Sequence, residues 1–203
     1  MICDEIMEGF GRTGKMFAFE NWNVEPDIIS FAKGVTCGYV QLGGVIVSKK
    51  ISDYYLENVF QYGLTYSGHP FACAAGVACV NYYYEANILA NVNQVGKVLG
   101  EILEDLKVKH KCVGDVRYIG LFSAVELVKD KESKEPLIPY GEDPNGIRSK
   151  IMNLLNERGF ATFGRENNIN ICTPLIITED ELKYAMKILD EVLTIFDNDF
   201  LEE

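Results

Sequence analysis

The sequence has little positive charge and few of the residues that bind transition metals. Nineteen lysines and arginines stand against 30 aspartates and glutamates, which gives a net charge of −11 at pH 7. A surface this acidic repels phosphate backbones and anionic lipids, so we expect neither nucleic acid nor a membrane as a partner. Only two histidines are present, too few for a familiar histidine-based metal site.

Long apolar runs and paired cysteine motifs are also missing. No apolar run is long enough to span a bilayer. The six cysteines form no Cys-x-x-Cys pair, and most of them lie in apolar surroundings. This usage indicates buried, reduced thiols in a cytoplasmic protein. The overall composition, 48% hydrophobic and 24% charged, is typical of a globular protein with a core.

The sequence contains a glycine-rich loop that lacks the P-loop motif. Residues 9–14 include three glycines and follow a short apolar strand, which predicts a loop rather than a helix. The loop lacks the lysine and spacing of a P-loop. We therefore do not expect a nucleotide at this loop.

One lysine stands at the end of a strand that the pattern predicts to be buried. The run from Asp27 to Ala32 is apolar and β-branched, and Lys33 follows it directly. An ammonium group loses water on burial, and a buried amine is a better nucleophile for an aldehyde. The alternative is a lysine that extends into solvent from a strand end, and Lys33 taken alone favours that alternative.

A carboxylate accompanies this lysine. Asp4 ends the preceding apolar strand, and ligands of parallel sheets bind outside the carboxyl ends of the strands. Pyridoxal 5'-phosphate requires such a pair, an amine for its aldehyde and an acid beside its ring nitrogen. The alternative role for Asp4 is to cap a local turn, which is the commoner case for an isolated aspartate at a strand end.

Three motifs in this order resemble those of the class III (omega) aminotransferases, which depend on pyridoxal phosphate. The segment Asp4–Gly14 (DEIMEGFGRTG) is similar to their Asp-Glu motif, and Pro26–Gly34 (PDIISFAKG) is similar to their cofactor-lysine motif. The segment Thr65–Pro70 (TYSGHP) resembles a third motif. The resemblance continues through almost the whole chain.

The resemblance implies roles for individual residues. Lys33 would bind the cofactor as a Schiff base and, once released, would move protons as the catalytic residue. Asp4 would pair with the pyridinium nitrogen, and Ile6 would pack against the ring. Thr65 would donate to the cofactor phosphate of a neighbouring subunit, which implies a homodimer. Arg165, in the polar loop 164–168, is the candidate for binding a substrate carboxylate, because a guanidinium binds carboxylates bidentately.

The resemblance also indicates a reaction. It implies the transfer of an amino group from an ω-amino acid or amine to a keto acid such as pyruvate or 2-oxoglutarate. The sequence of residues 162–168 is similar to that of aminotransferases of the ω-amino-acid or taurine–pyruvate type. Family members specialised for ornithine or γ-aminobutyrate look to carry an arginine near the position of Asn170. The resemblance therefore disfavours those two substrates, because this chain has an asparagine there. An aminomutase or decarboxylase with the same lysine chemistry is the alternative enzyme.

The expected architecture is α/β. The resemblance implies that residues 1–90 are part of the large cofactor-binding domain of a fold-type I enzyme, with a mostly parallel sheet. Residues 91–203 would be a small C-terminal α+β domain. Members of the family are about twice as long, and Met1 falls directly on an apolar strand. We therefore expect residues before Met1 in the native protein, and a non-catalytic fragment remains an alternative.

Four local expectations depend on pattern alone. Residues 115–128 alternate in polarity and predict one strand with a possible bulge at Gly120. The charged segment 129–145, with prolines at 136, 139 and 144, predicts a surface loop. The alanine-rich helix after His69 is expected to be closely packed. Thr178 and Glu181 form a capping box that begins the last helix.

Overall fold

The computed structural model describes residues 1–143 and 145–199, and Pro144 lies outside the described residues. The chain divides into two compact units, Met1–Val92 and a second unit that begins at Asn93. No helix of the described residues is long and apolar enough to cross a membrane.

The first unit is a three-stranded sheet with two helices. Strands β1 (Ile2–Asp4) and β2 (Ile28–Phe31) are parallel, and β3 (Gly44–Val47) runs antiparallel to β2. Helices α1 (Lys49–Glu57) and α2 (Pro70–Glu85) follow. Pro70 occupies the first turn of α2, where a missing N–H leaves no helical hydrogen bond unmade. Of the two strand pairs described here, one is therefore parallel and one antiparallel.

The apolar surfaces of this unit are more exposed than the sequence pattern predicts. Ile2 in β1 is 70% exposed and Val45 in β3 is 61% exposed. In α2 only Ala72, Gly76 and Tyr83 are buried, so the close packing expected around this helix is wrong for the chain as described. An apolar pattern predicts that a surface is buried. Among the described residues of the unit, no element covers the apolar side chains of β1, β3 and α2 named here.

The second unit is a five-stranded antiparallel sheet with helices. Four of its strands have the order β4–β5–β8–β7, and the fifth, β6 (Glu135–Pro136), pairs with β5. The elements of the unit are α3 (Ile88–Lys109, which begins before the boundary), β4 (Val113–Ile119), β5 (Phe122–Asp130), α4 (Ile147–Glu157), β7 (Phe163–Arg165), β8 (Asn168–Ile171) and α5 (Glu179–Asp199). The buried side chains are mainly aliphatic and include Leu99, Leu103, Val125, Ile169 and Phe196.

Two predictions in this unit need correction. Residues 115–128 do not form a single strand, because β4 and β5 form a hairpin whose turn contains Gly120 with φ of +56°. A Cβ at Gly96 of α3 would lie 2.7 Å from the carbonyl oxygen of Gly120, so the helix packs tightly on this turn. The segment 129–145 is not all loop, since β6 (Glu135–Pro136) pairs with β5.

The last helix begins as predicted. Glu181 accepts a hydrogen bond from the Thr178 N–H (2.8 Å), and the Glu181 N–H donates to the Thr178 hydroxyl (3.3 Å). Because both orphan donors are satisfied reciprocally, the capping box is confirmed.

A buried histidine connects the end of α3 to α5. The His110 ring is only 1% exposed, and its two nitrogens lie 2.7 Å from Asp190 and 2.8 Å from Asp197. Burial alone would raise the pKa of Asp190, but hydrogen bonds from Lys109 and His110 outweigh it and hold this pKa below the ordinary value. The cluster accounts for one of the two histidines without a metal.

Candidate active site

Asp4 and Lys33 lie at the same end of the first sheet. Asp4 is the last residue of β1 and is paired with Ser30 of β2, three residues before Lys33. Because the two strands are parallel, both residues lie at the carboxyl end of the sheet, where ligands of such sheets bind. The Asp4 carboxylate accepts a hydrogen bond from the Ile6 N–H at 2.9 Å. Asp4 therefore caps its turn as well, and one interaction does not exclude the other.

Lys33 is exposed, so the expectation that its amine is buried is wrong for this chain. Strand β2 ends at Phe31, and Lys33 begins a short 3-10 turn that continues to Val35. Its φ of +40° is in the left-handed region that non-glycine residues rarely adopt. Such strain persists only where the surroundings hold the turn, and it occurs often at functional sites. The strained residue, Lys33, is also the lysine of the motif in residues 26–34.

The glycine-rich loop holds the Lys33 turn through close contacts. A Cβ on Gly34 would lie 2.7 Å from the Cβ of Phe10, so only glycine fits there without a shift. Phe10 is 5% exposed, and its ring contacts Phe17, Phe31 and Tyr83 with centroid distances between 5.4 and 6.2 Å. Residues 9–14 therefore support the lysine turn.

Tyr83 fixes the same turn from α2. Its hydroxyl donates to the Gly34 carbonyl oxygen at 3.0 Å, and its ring is 6% exposed. A buried hydroxyl needs a hydrogen-bond partner, and the partner here is the carbonyl group of the residue that follows Lys33. The composition of α2 gave no signal for this role, because tyrosine also occurs at 82 and 84, where it is exposed.

Glu5 is a structural residue that sequence reasoning missed. Its side chain is 2% exposed, and its two oxygens accept the N–H groups of Ala18 (2.8 Å) and Phe19 (2.9 Å). These donors open the 3-10 helix Ala18–Trp22, whose first N–H groups have no helical partner. The local sequence gave no signal for this role, since Glu5 is buried while its neighbour Asp4 is exposed.

The other predicted site residues are placed as follows. Ile6 is half-buried in the turn after β1, beside Asp4. Thr65 lies outside the sheet, in the exposed segment between α1 and α2. Arg165 is not in a loop as predicted but at the end of β7, where it pairs with Asn168 across a tight turn, and it is exposed. The structure thus brings Asp4, Ile6 and Lys33 to one edge of the first unit, and Arg165 belongs to the second unit.

Comparison with protein families identifies the chain. A family model described as aminotransferase class-III matches residues 1–193. The chain belongs to the class III aminotransferases. The resemblance inferred from the three motifs is therefore confirmed.

Class III aminotransferases of several kinds resemble this chain. The adenosylmethionine-8-amino-7-oxononanoate aminotransferase of Staphylococcus aureus is 35% identical and is matched over 95% of this chain but 42% of its own length. The taurine–pyruvate aminotransferase of Bilophila wadsworthia is 32% identical over 98% of this chain and 45% of its own length. The chain thus spans less than half the length of these relatives.

Solved structures confirm the fold class. The taurine:2-oxoglutarate aminotransferase of Bifidobacterium kashiwanohense, solved with PLP and glutamate, superposes with a TM-score of 0.95. It is 58% identical, and the match covers 98% of this chain and 45% of that one. An S-selective transaminase from an Arthrobacter species superposes with a TM-score of 0.90 at 32% identity, over 97% of this chain and 44% of its own. The fold is that of the PLP-dependent transaminases of fold type I.

Proposed function

We propose that this chain provides the lysine-bearing part of a pyridoxal-phosphate-dependent aminotransferase. The enzyme would move an amino group from an ω-amino acid or amine to a keto acid such as pyruvate. The observation that carries the proposal is the placement of Lys33 and Asp4 at the carboxyl ends of two parallel strands. Family membership and the PLP bound in a 58% identical structure support it.

The residues present fit this cofactor. The donor set at the sheet edge is one primary amine and one carboxylate, which match the aldehyde and the ring nitrogen of pyridoxal phosphate. The cofactor, when bound, supplies an electron sink for the carbanion that forms at the substrate Cα. The exposed amine of Lys33 is accessible to an aldehyde, and the hydrogen bond from the Ile6 N–H fixes the Asp4 carboxylate.

The proposal assigns a role to each residue of the site. Lys33 would hold the cofactor through its aldehyde and would carry the proton to and from the substrate Cα. The Asp4 carboxylate keeps the pyridine nitrogen protonated, because a nearby negative charge favours the cationic form. Ile6 covers one face of the ring and excludes water there. Gly34 and Tyr83 hold the turn that positions the Lys33 amine.

The proposed substrates have an acidic group distant from the amine. Arg165 would bind that group, since a guanidinium pairs bidentately with carboxylate or sulfonate oxygens. Arg165 is exposed, and Asn170 on the neighbouring strand offers no second cation. Two of the relatives named above act on taurine, with pyruvate or 2-oxoglutarate as the partner. These names support an ω-amino acid donor of the taurine kind.

The assembly is part of the proposal. Residues 1–90 would belong to the large cofactor-binding domain and residues 91–203 to the small C-terminal domain. Thr65, exposed between α1 and α2, would reach the cofactor phosphate of a neighbouring subunit in a homodimer. A cytoplasmic location is supported by six cysteines that are all free thiols.

A second candidate is a non-catalytic fragment that needs the remaining part of the fold. It is favoured by the length ratio to the relatives and by large exposed apolar side chains in the first unit, including Phe60, Tyr62 and Phe71. No observation favours the aminomutase or decarboxylase alternative over an aminotransferase.

A covalent-trapping experiment tests the proposal. The purified chain is mixed with pyridoxal phosphate, reduced with borohydride and digested, and the modified peptides are identified by mass spectrometry. We expect the adduct at Lys33 at substoichiometric cofactor, and its loss in Lys33→Ala. Lys50→Ala, at an exposed lysine of α1, is the matched control and should label as the unmodified chain does. Equal labelling of all exposed lysines would contradict a built cofactor site.

Activity separates the two candidates. A separate, unreduced sample of the chain, supplied with pyridoxal phosphate, is assayed with taurine or another ω-amino acid and with pyruvate or 2-oxoglutarate. Product formation that Lys33→Ala abolishes supports catalysis by this chain. Selective labelling of Lys33 without product supports the fragment, which holds the cofactor lysine but lacks a complete site.

A further inference from the structure

Two cysteines of the first unit lie beside the Lys33 turn and have no role in the proposed chemistry. Cys37 ends this turn, is exposed, and has a φ of +52°. Its sulfur lies 3.4 Å from the Tyr83 hydroxyl and 3.7 Å from the Gly34 carbonyl oxygen. The thiol therefore belongs to the same contact network that holds Gly34.

Cys79 faces this network from α2. Gly76, Cys79 and Tyr83 are spaced three and four residues apart, which places them on one face of the helix. Gly76 lies against Val35 of the turn, since a Cβ there would be 3.8 Å from a Val35 methyl group. Tyr83 contacts Cys37 at the other end of the face. Cys79 thus stands between two residues that both contact the turn.

The two thiols interact with one another. Burial raises the pKa of the Cys79 thiol, and the adjacent Cys37 thiol raises it further. A raised pKa keeps Cys79 protonated at neutral pH, and a protonated thiol reacts slowly with an oxidant. Burial also raises the pKa of Tyr83, which remains a neutral hydrogen-bonding neighbour, and the nearby Arg12 guanidinium opposes that rise.

We propose that Cys37 and Cys79 form a peroxide-oxidisable dithiol whose disulfide fastens the Lys33 turn to α2. The argument rests on the shared contacts of the two cysteines and does not depend on the proposed function. Exposure makes Cys37 the attacking thiol, and Cys79 is the resolving thiol next to it.

The chemistry needs one hydroperoxide molecule. The Cys37 thiolate attacks a peroxide oxygen, the O–O bond breaks, and a sulfenic acid forms while the leaving oxygen is protonated to water or an alcohol. The Cys79 thiol then attacks the Cys37 sulfur, so that an S–S bond forms, the S–O bond breaks and water leaves. The two sulfurs together lose two electrons, and the peroxide gains them.

The experiment measures the bond directly. The chain, reduced and freed of reductant, is treated with stoichiometric hydrogen peroxide, blocked with an alkylating agent and digested without reduction. We expect a peptide pair linked through Cys37 and Cys79, a mass loss of two hydrogens, and restoration by dithiothreitol. Cys37→Ser and Cys79→Ser should each abolish the linked pair, and circular dichroism checks that each variant is folded.

A matched control lies on the same helix. Cys73 is six residues before Cys79, about 9 Å along the helix axis. Cys73→Ser should give the linked pair in the same yield as the unmodified chain. The proposal is overturned if peroxide leaves both thiols reduced, if it oxidises Cys37 beyond the sulfenic acid while Cys79 stays free, or if the linked peptides join separate chains. None of these readouts requires the cofactor, so they are independent of Lys33 labelling.

Discussion

The buried Glu5 carboxylate gives the sharpest prediction on how the site is supported. In Glu5→Gln the side-chain carbonyl can still accept one N–H, but the new amide group points a donor at the other. The two affected donors are the backbone N–H groups of Ala18 and Phe19, now at 2.8 and 2.9 Å from the carboxylate. One charge-assisted hydrogen bond is lost, and one buried donor is left without an acceptor.

The magnitude follows from the kind of bond that is lost. A hydrogen bond to a charged group contributes about 1.5–3 kcal/mol, and Glu5 is almost fully buried, so we expect the free energy of unfolding to fall by about 2 kcal/mol. With a slope of about 2 kcal/mol per molar urea, the midpoint should fall by about 1 M.

The chain contains its own reporter and its own control. Trp22 is the only tryptophan, and it ends the 3-10 helix that Glu5 holds, so its fluorescence during urea unfolding reports on this region. Glu20→Gln is the matched control, because Glu20 is exposed and accepts a single N–H from Phe17 at 2.7 Å, which a glutamine carbonyl can also accept. We expect a change within about 0.5 kcal/mol there. Equal midpoints for the two variants would refute the reasoning.

Two further predictions concern packing and pH. Gly34→Ala should lower the free energy of unfolding, measured by urea unfolding, by about 1–3 kcal/mol, because the added methyl group would lie 2.7 Å from the Phe10 Cβ. The control Gly63→Ala should show no loss of that free energy, because nothing lies within 4 Å of a Cβ there. The lowered pKa of Asp190 means that its stabilising effect is present above its ordinary pKa of 3.8 and is lost as the pH falls through the lower folded-state value. Unfolding curves of the unmodified chain and Asp190→Asn should therefore differ at pH 6 and converge below about pH 3; a difference that is constant with pH would contradict this.

Local signals in the sequence predicted much of the fold. The capping box of Thr178 and Glu181 predicted the start of α5, because it depends only on neighbours along the chain. The hairpin at Gly120 was missed for a physical reason. A glycine in an alternating pattern fits a bulge and a turn equally well, and the turn is selected by α3, whose Gly96 packs against it.

Some residues of the candidate site were predicted from local sequence, and others were not. Asp4 and Lys33 were predicted because each follows an apolar strand, and the parallel pairing brings their strand ends together. Glu5 and Tyr83 were not predicted, because nothing in their local sequence shows that one holds backbone N–H groups 13 and 14 residues away and the other a carbonyl 49 residues away. Motifs identify the residues that react, whereas the residues that hold them are found by long-range contacts.

The exposure of Lys33 bears on what this chain can do by itself. Exclusion of water strengthens the electrostatic interactions of a site and protects reactive groups, and neither Lys33 nor Asp4 is buried among the described residues. The turn beneath the lysine is nevertheless rigidly built, with Gly34 against Phe10, the Tyr83 hydroxyl on the Gly34 carbonyl and a strained φ at Lys33. Positioning and desolvation are therefore separate contributions, and the contacts of this turn bear on the first. Selective trapping of pyridoxal phosphate at Lys33 tests positioning, and turnover tests whether desolvation is also present.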